Sequence, residues 1–407
     1  MKKQRRLWVR LLLLVVWLGA MVVPLLAQPP MVFHHLTTKE GLSNGSVNAL
    51  LKDSYGYLWV GTLYGLNRYD GYGFQVSTSA NSNVQFTNSI DNLQEDAQGN
   101  IWISSYNYMV YNRAFDRFVA DVPDFLAQMG IETSPNYKVY IDKQKNLWVF
   151  SGPTLFSFNF ETESLVRFEL EISVDGLGYW QFGDDAQFLY VVLNSGLLWK
   201  VDKQTGVQSP VNMPSVEKPE QYSRIFSDSK GGLWLAGMTD LLYWKKQANS
   251  NWEPLLLKSK SGVHPNRVLA LIDDGKGTVW IGTDHNGLFV FNTINKSLSN
   301  YTEDRTSGSS MASNNVTCMY RDDEGIVWIG HGKKGISYHH SSFQNILNFK
   351  HPACRDVSVM LEDRQGRIWL STDGNGLFRK GRSDGDEIQQ LPIGNAPVVS
   401  ILEDRDG

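Results

Sequence analysis

Beyond the first thirty residues the apolar positions come in short runs, broken every few residues by Asp, Gly, Asn or Ser. Such runs between turn formers predict β-strands and tight turns, and no sustained 3.6-residue period argues for helices. One pattern recurs along the chain: Val-x-x-Leu-x-x-Asp-x-x-Gly-x-Leu-Trp-Val-Gly-Thr, a short turn, then Gly-Leu-x-x-Tyr. Its first copy spans 47–69, around Asp53, Gly56 and Trp59. Later copies centre on Trp102, Trp148, Trp234, Trp280, Trp328 and Trp369. A degenerate copy places Asp184 and Tyr190 at the Asp and Trp positions. Successive anchors lie 43, 46, 42, 44, 46, 48 and 41 residues apart. A period in the forties with several short strands per unit predicts β-propeller blades.

Each part of the unit has a physical task. The apolar run before Asp is a strand. Asp-x-x-Gly is a turn in which the carboxylate accepts backbone N–H groups and Gly takes positive φ. The turn Asp stands six residues before each anchor in this alignment, and Gly stands three before it in six of eight copies. Leu-Trp-Val is a second strand whose Trp offers a large face to the next blade. Small residues such as Gly61-Thr62 and Gly282-Thr283 permit close packing. Gly-Leu-x-x-Tyr is a third strand, and a weaker fourth follows, as at 74–77.

A propeller closes well when the chain's start completes its last blade, because this hides a sheet edge. Residues 31–36 (MVFHHL) suit that outer strand and are expected to pair with the blade of Trp328. The expected fold is all-β: a seven-bladed β-propeller at 28–341, then the truncated start of a second propeller at 342–407. Residues 343–349 (FQNILNF) would open it, and the last residues, LEDRDG, read as another Asp-x-x-Gly turn of an unfinished copy. One eight-bladed ring is the alternative.

The first 27 residues change the compartment. A basic stretch (MKKQRRLWVR) precedes an uncharged apolar run ending at Ala27, the order of a secretory signal. Cleavage near Ala27 is expected, with an uncleaved membrane anchor as the alternative. The chain has 38 basic and 42 acidic residues; removing Lys2, Lys3, Arg5, Arg6 and Arg10 leaves 33 against 42, a net charge of −9. That acidic balance argues against a nucleic-acid partner. Two cysteines, Cys318 and Cys354, read as small semi-buried thiols rather than a disulfide framework.

The repeats resemble the two-component regulator propeller family, and the opening HHLTTKEGLSNGSVNALLKDSYGYLWVGTLYGLNRYDGYGF is especially close to its first blade. The likeness covers about 33–407. It implies a periplasmic sensor region of a hybrid two-component system, responsive to carbohydrate. An oligosaccharide ligand and a second copy of the same protein are the implied partners. Kinase, receiver and membrane span are expected only downstream of this chain, and no cofactor is implied.

Candidate chemistry is sparse. The repeated turn Asp residues fit capping, not catalysis. Ser227 to Trp234 resembles a sialidase Asp box, but its Asp-to-Gly spacing is one residue longer. The pairs His34-His35 and His339-His340 occupy adjacent strand positions and point to opposite faces, a poor chelating geometry. Gly-rich segments such as 373–376 lack the Lys-Ser/Thr of a phosphate loop. The turns between second and third strands are the best ligand-binding candidates: Tyr64, Tyr106, Asn107, Asp240, Asp284, His285, Asn286, Lys333 and Lys334. Two function classes follow: a non-catalytic sensor module, or an exported propeller hydrolase or lyase with facing carboxylates across the channel.

Overall fold

The computed structural model describes residues 31–82, 84–119, 121–170, 181–193, 197–212, 224–237, 241–244, 252–257, 267–342, 356–381 and 388–404. The leader, the opening strand at 343–349, Cys354 and Asp240 fall outside the described residues. The chain divides into two compact units, 1–344 and 345–407.

Among the described residues, eight four-stranded antiparallel sheets make up nearly all the regular structure. Among the described residues, helix is confined to Val122–Ala127 and a 3-10 turn at Thr38–Glu40. Seven of these sheets lie in the first unit. The first is Val47–Lys52, Leu58–Thr62, Gly65–Tyr69 and Phe74–Ser77, in chain order. The others open with Asn92–Glu95, Lys138–Ile141, Gln181–Asp184, Arg224–Ser227, Val268–Asp273 and Val316–Arg321. These seven opening strands are innermost and line one central channel.

The seventh sheet takes its fourth strand from the start of the chain. His34–Leu36 pairs antiparallel with Ile336–His339, Leu36 opposite Ile336. The opening strand thus joins the blade of Trp328, as expected. The second unit's sheet is built from Val357–Glu362, Ile368–Thr372, Gly376–Lys380 and Ile388–Gln390 alone.

The turn aspartates do more than cap. Asp53 Oδ1 accepts the amides of Tyr55 and Tyr57 at 3.0 and 2.9 Å, while Oδ2 accepts the Trp59 indole N–H at 2.7 Å. The indole bond recurs at Asp96–Trp102, Asp142–Trp148, Asp228–Trp234, Asp322–Trp328 and Asp363–Trp369, between 2.8 and 3.0 Å. The six-residue spacing is the one that lets a single carboxylate hold both the turn and the buried Trp.

The degenerate copy departs from the sequence alignment. Asp185, not Asp184, makes the turn: it accepts the amides of Gln187 and Phe188 at 2.8 Å and the Tyr190 hydroxyl at 2.8 Å. The turn is one residue shorter and a phenol O–H replaces the indole N–H. Asp184 instead faces the preceding sheet, accepting the Tyr140 hydroxyl at 2.7 Å and the Lys143 amide at 3.0 Å.

That contact is one of a series. The residue immediately before the turn Asp accepts the amide of the residue just after the turn Asp in the preceding sheet. Glu95 accepts Ser54 N–H at 2.8 Å, and Asp273 accepts Ser229 N–H at 2.7 Å. Glu403 does the same for Arg364 at 3.1 Å in the second unit. Glu95 also takes the Ser54 hydroxyl and the Lys145 ammonium, both at 2.6 Å. Glu95→Ala is expected to lower stability by about 1–3 kcal/mol, with Glu95→Gln costing less because an acceptor remains. Urea midpoints check this, and an unchanged midpoint in Glu95→Ala would show the stitch to be energetically idle.

The seam between the opening strand and the seventh sheet is rich in histidine. His34 stacks on Tyr338 with ring centroids 5.4 Å apart, while His35 turns to the other face and bonds Ser337 Oγ at 3.1 Å. His331 is fully buried; Nδ1–H donates to the Asn315 carbonyl at 3.0 Å and Nε2 accepts from Ser337 Oγ at 2.8 Å. Burial pushes its pKa down from 6.5 to about 4, and also lowers those of His35 and His339. Between those values the unfolded chain binds a proton that the folded one refuses. Stability is therefore held above pH 6.5 and lost as pH falls toward 4. His331 alone is expected to lower stability by about 2 kcal/mol from pH 7 to pH 5. Denaturant midpoints at the two pH values test this. His331→Gln should flatten the dependence; an equal slope in the variant would assign the acid sensitivity elsewhere.

Candidate ligand channel and its mouth

The channel encloses about 720 Å³. One strand position dominates its wall, four residues ahead of the turn Asp. Around the seven sheets it is Ala49, Asn92, Lys138, Gln181, Arg224, Ala270 and Cys318, all lining the cavity. The wall divides into two kinds. In the first, sixth and seventh sheets a bulge precedes the position, and its residue opposes Gly61, Gly282 or Gly330. These glycines let the next sheet in: a Cβ on Gly282 would stand 2.5 Å from Val316 Cγ1. The second to fifth sheets run without that shift, and their residues oppose Ser104, Phe150, Val192 and Ala236. One side of the channel is therefore small and tightly packed, and the other carries longer polar side chains.

Several lining groups are already engaged. Asn48 Nδ2 donates to the Ile90 carbonyl at 3.1 Å and Gln94 Nε2 to that of Ile141 at 3.0 Å. Thr317 Oγ1 donates to the Val47 carbonyl, joining the seventh sheet to the first. Each ties an inner strand to its successor. Burial pushes the Cys318 thiol up to about 12, which keeps it protonated and unreactive. Among the described residues Asp91 is the one carboxylate lining the channel, and burial raises its pKa.

A second cavity of about 650 Å³ adjoins Tyr108, which lines both. The connector between the second and third sheets forms it. Asp121 caps the short helix Val122–Ala127, accepting the Asp124 amide at 3.0 Å. Tyr108 and Tyr137 face each other with centroids 5.4 Å apart and planes 33° inclined. Asn107, Asp121, Thr133 and Ser134 supply polar groups around them. The helix is too short to show a 3.6-residue period, so the strand-and-turn pattern did not reveal this pocket.

The turn residues singled out from sequence have varied placements. Tyr64 and Tyr106 are 58% and 88% exposed, and Asn107 lines the side cavity. Asp284 accepts Asn315 Nδ2–H at 2.7 Å, with the His285 ring 3.4 Å away. Asn286 is buried. At Lys333 the backbone carbonyl packs on Gly45, where a Cβ would come within 2.7 Å, and Lys334 follows it. Asp240 is outside the described residues. None of the others lines the channel. These turns share one face, and several are fastened to the connector of the next sheet: Gly65 N–H donates to Asn88 at 2.7 Å, Gly287 to Asn314 at 2.9 Å, and Gly335 to Gly45 at 2.8 Å. The residues missed were Asn92, Lys138, Gln181 and Arg224. Their signal was present: polar side chains stand where the other copies carry Ala or Cys.

Five segments match the family model described as two component regulator propeller: 41–64, 85–107, 262–285, 310–333 and 353–374. No curated protein matches the chain. Among solved structures, it is similar to the extracellular domain of the putative hybrid two component system BT3049 from B. thetaiotaomicron. That likeness has 18% identity and a TM-score of 0.57, and covers 90% of this chain and 50% of the other. The extracellular domain of BT4673, a putative hybrid two component system from the same organism, gives 19% identity and a TM-score of 0.59 over 90% and 48%. The chain thus spans about half the length of these structures. Virginiamycin B lyase from Staphylococcus aureus matches at 11% identity and a TM-score of 0.54, over 76% of this chain and 99% of the lyase. At such identities the likenesses speak for the propeller fold.

Proposed function

From a chain that belongs to the two component regulator propeller family, we propose an extracytoplasmic, carbohydrate-responsive sensor region that binds its ligand without turning it over. The observation that carries this reading is the side cavity that shares Tyr108 with the channel. The tilted rings of Tyr108 and Tyr137 suit the apolar face of a sugar, and Asp121, Thr133 and Ser134 suit its hydroxyls. Export through residues 1–27, periplasmic placement and a second copy as partner belong to the same proposal. A close-packed ring has little room for internal rearrangement, so a signal would pass through a change in assembly.

The competing reading is an exported hydrolase or lyase. Glycoside hydrolysis uses two carboxylates flanking one bond. Among the described residues, Asp91 stands in the channel and Asp121 in the side cavity. The test is calorimetry of the exported chain against a panel of oligosaccharides, with chromatography of the sugars afterwards. Binding is expected with the sugars intact, and Tyr137→Ala is expected to weaken it at least about tenfold, or about 1.4 kcal/mol. Cleavage products that disappear in Asp91→Asn or Asp121→Asn would establish the enzyme instead.

A further inference from the structure

Four polar side chains of the channel wall make no hydrogen bond or ion pair with the protein among the described residues: Asn92, Lys138, Gln181 and Arg224. They come from four consecutive sheets at one strand position, so they form a continuous belt along one side. The contrast with Asn48, Gln94 and Thr317 is informative, because those polar neighbours are consumed in joining adjacent inner strands. The belt has charge as well as hydrogen-bonding capacity. Arg224 lies close enough to Arg267, at the start of the sixth sheet, for the two to repel. Neither Arg224, Arg267 nor Lys138 pairs with a carboxylate among the described residues. Like charges held together without a counter-charge repel one another, and a bound anion relieves them.

We propose that this belt is an anion site, holding the carboxylate or sulfate group of an acidic saccharide. Arg224 supplies a planar, two-pronged donor for the anion and Lys138 a second charge. The amides of Asn92 and Gln181 meet the neutral hydroxyls beside it. Asp91, ahead of the belt in the second sheet, disfavours the anion at that end and so fixes which way the ligand lies. A cavity of about 720 Å³ is within the range that small ligands fill. The saccharide scaffold rests on the function proposed above; the anion preference rests on the belt alone.

Calorimetry on the exported chain compares tetragalacturonate, a neutral galactotetraose, a sulfated disaccharide and inorganic sulfate. The expected result is that an acidic sugar binds at least about tenfold more tightly than the neutral one and weakens with added salt. The carboxylated and sulfated probes show which anion fits. Arg224→Gln and Lys138→Gln should each lower that affinity at least about tenfold, whereas Lys276→Gln, in an exposed turn that does not line the channel, should not. Arg224→Gln should also keep or raise the melting temperature by relieving the repulsion with Arg267, which separates lost binding from lost fold. Equal affinity for neutral and acidic sugars, or an Arg224→Gln variant that binds as before, overturns the anion site and leaves the sensor reading standing. If no sugar binds but sulfate raises the melting temperature only when Arg224 is present, the anion site stands and the carbohydrate reading falls. Silence from every probe removes both.

Discussion

Replacing Lys203 by methionine is expected to lower folding stability by about 3–5 kcal/mol, because it leaves two buried carboxylates facing each other without a counter-charge. The Lys203 ammonium lies 2.9 Å from Asp142 Oδ2 and 2.8 Å from Asp184 Oδ2, and both carboxylates are fully buried. Asp142 is the turn residue of the third sheet, and Asp184 closes the inner strand of the fourth. One side chain therefore bridges the seam between two blades, a single positive charge shared by two carboxylates. Methionine keeps most of the stem's packing, so the loss reads the charge rather than the volume. Adding Asp184→Asn to Lys203→Met should recover part of the loss, and the double-mutant cycle gives the coupling directly. A loss below about 1 kcal/mol would mean that water reaches the carboxylates and replaces the ammonium.

Trp234→Ala is expected to cost a similar amount, about 3–5 kcal/mol, for a different reason. Trp234 is completely buried in the fifth sheet. Its ring packs on Tyr243 at 4.3 Å between centroids and meets Phe291 of the sixth sheet edge-on at 6.0 Å. Truncation opens a cavity between two blades and removes the indole donor from Asp228. Trp234→Phe keeps most of the ring packing and loses only that donor, so it should cost about 1–3 kcal/mol. Urea midpoints of the two variants separate packing from hydrogen bonding. Equal losses would assign the effect to the indole–carboxylate bond and overturn the packing account. The fourth sheet already carries a natural variant of this arrangement, with the Tyr190 hydroxyl in the indole's role.

Much of this architecture was legible because it is local. The Asp-to-Trp spacing places a carboxylate beside an indole across one hairpin, and this depends on nothing outside the unit. The placement of His34–Leu36 against the seventh sheet followed from the repeat count and the tendency of sheets to hide their edges. The degenerate copy was misassigned by one residue because two adjacent aspartates offered the same pattern. Only the direction of each side chain distinguishes Asp185 in the turn from Asp184 at the seam. The acidic residue ahead of the turn Asp was readable in the same way, but its partner lies in the preceding repeat.

The candidate site was less legible. Turn residues were natural suspects because they are polar and exposed, yet the channel wall is made by strand positions. The wall position is the same in all seven sheets, four residues ahead of the turn Asp, but a strand pattern read along the chain does not say which of its two faces meets the channel. A bulge lies just before Ala49, Ala270 and Cys318, whereas the paired strands at Asn92, Lys138, Gln181 and Arg224 begin at that position without one. By itself the sequence determined the repeat, the strands, the turns and the strand that completes the seventh sheet, since these rest on periodicity and short-range hydrogen bonding. Tertiary structure alone decided that Lys203 joins Asp142 to Asp184 and that one polar belt gathers residues from four sheets. Both depend on side chains from different repeats meeting in space, and a period along the chain carries no information about which of them remain unpaired.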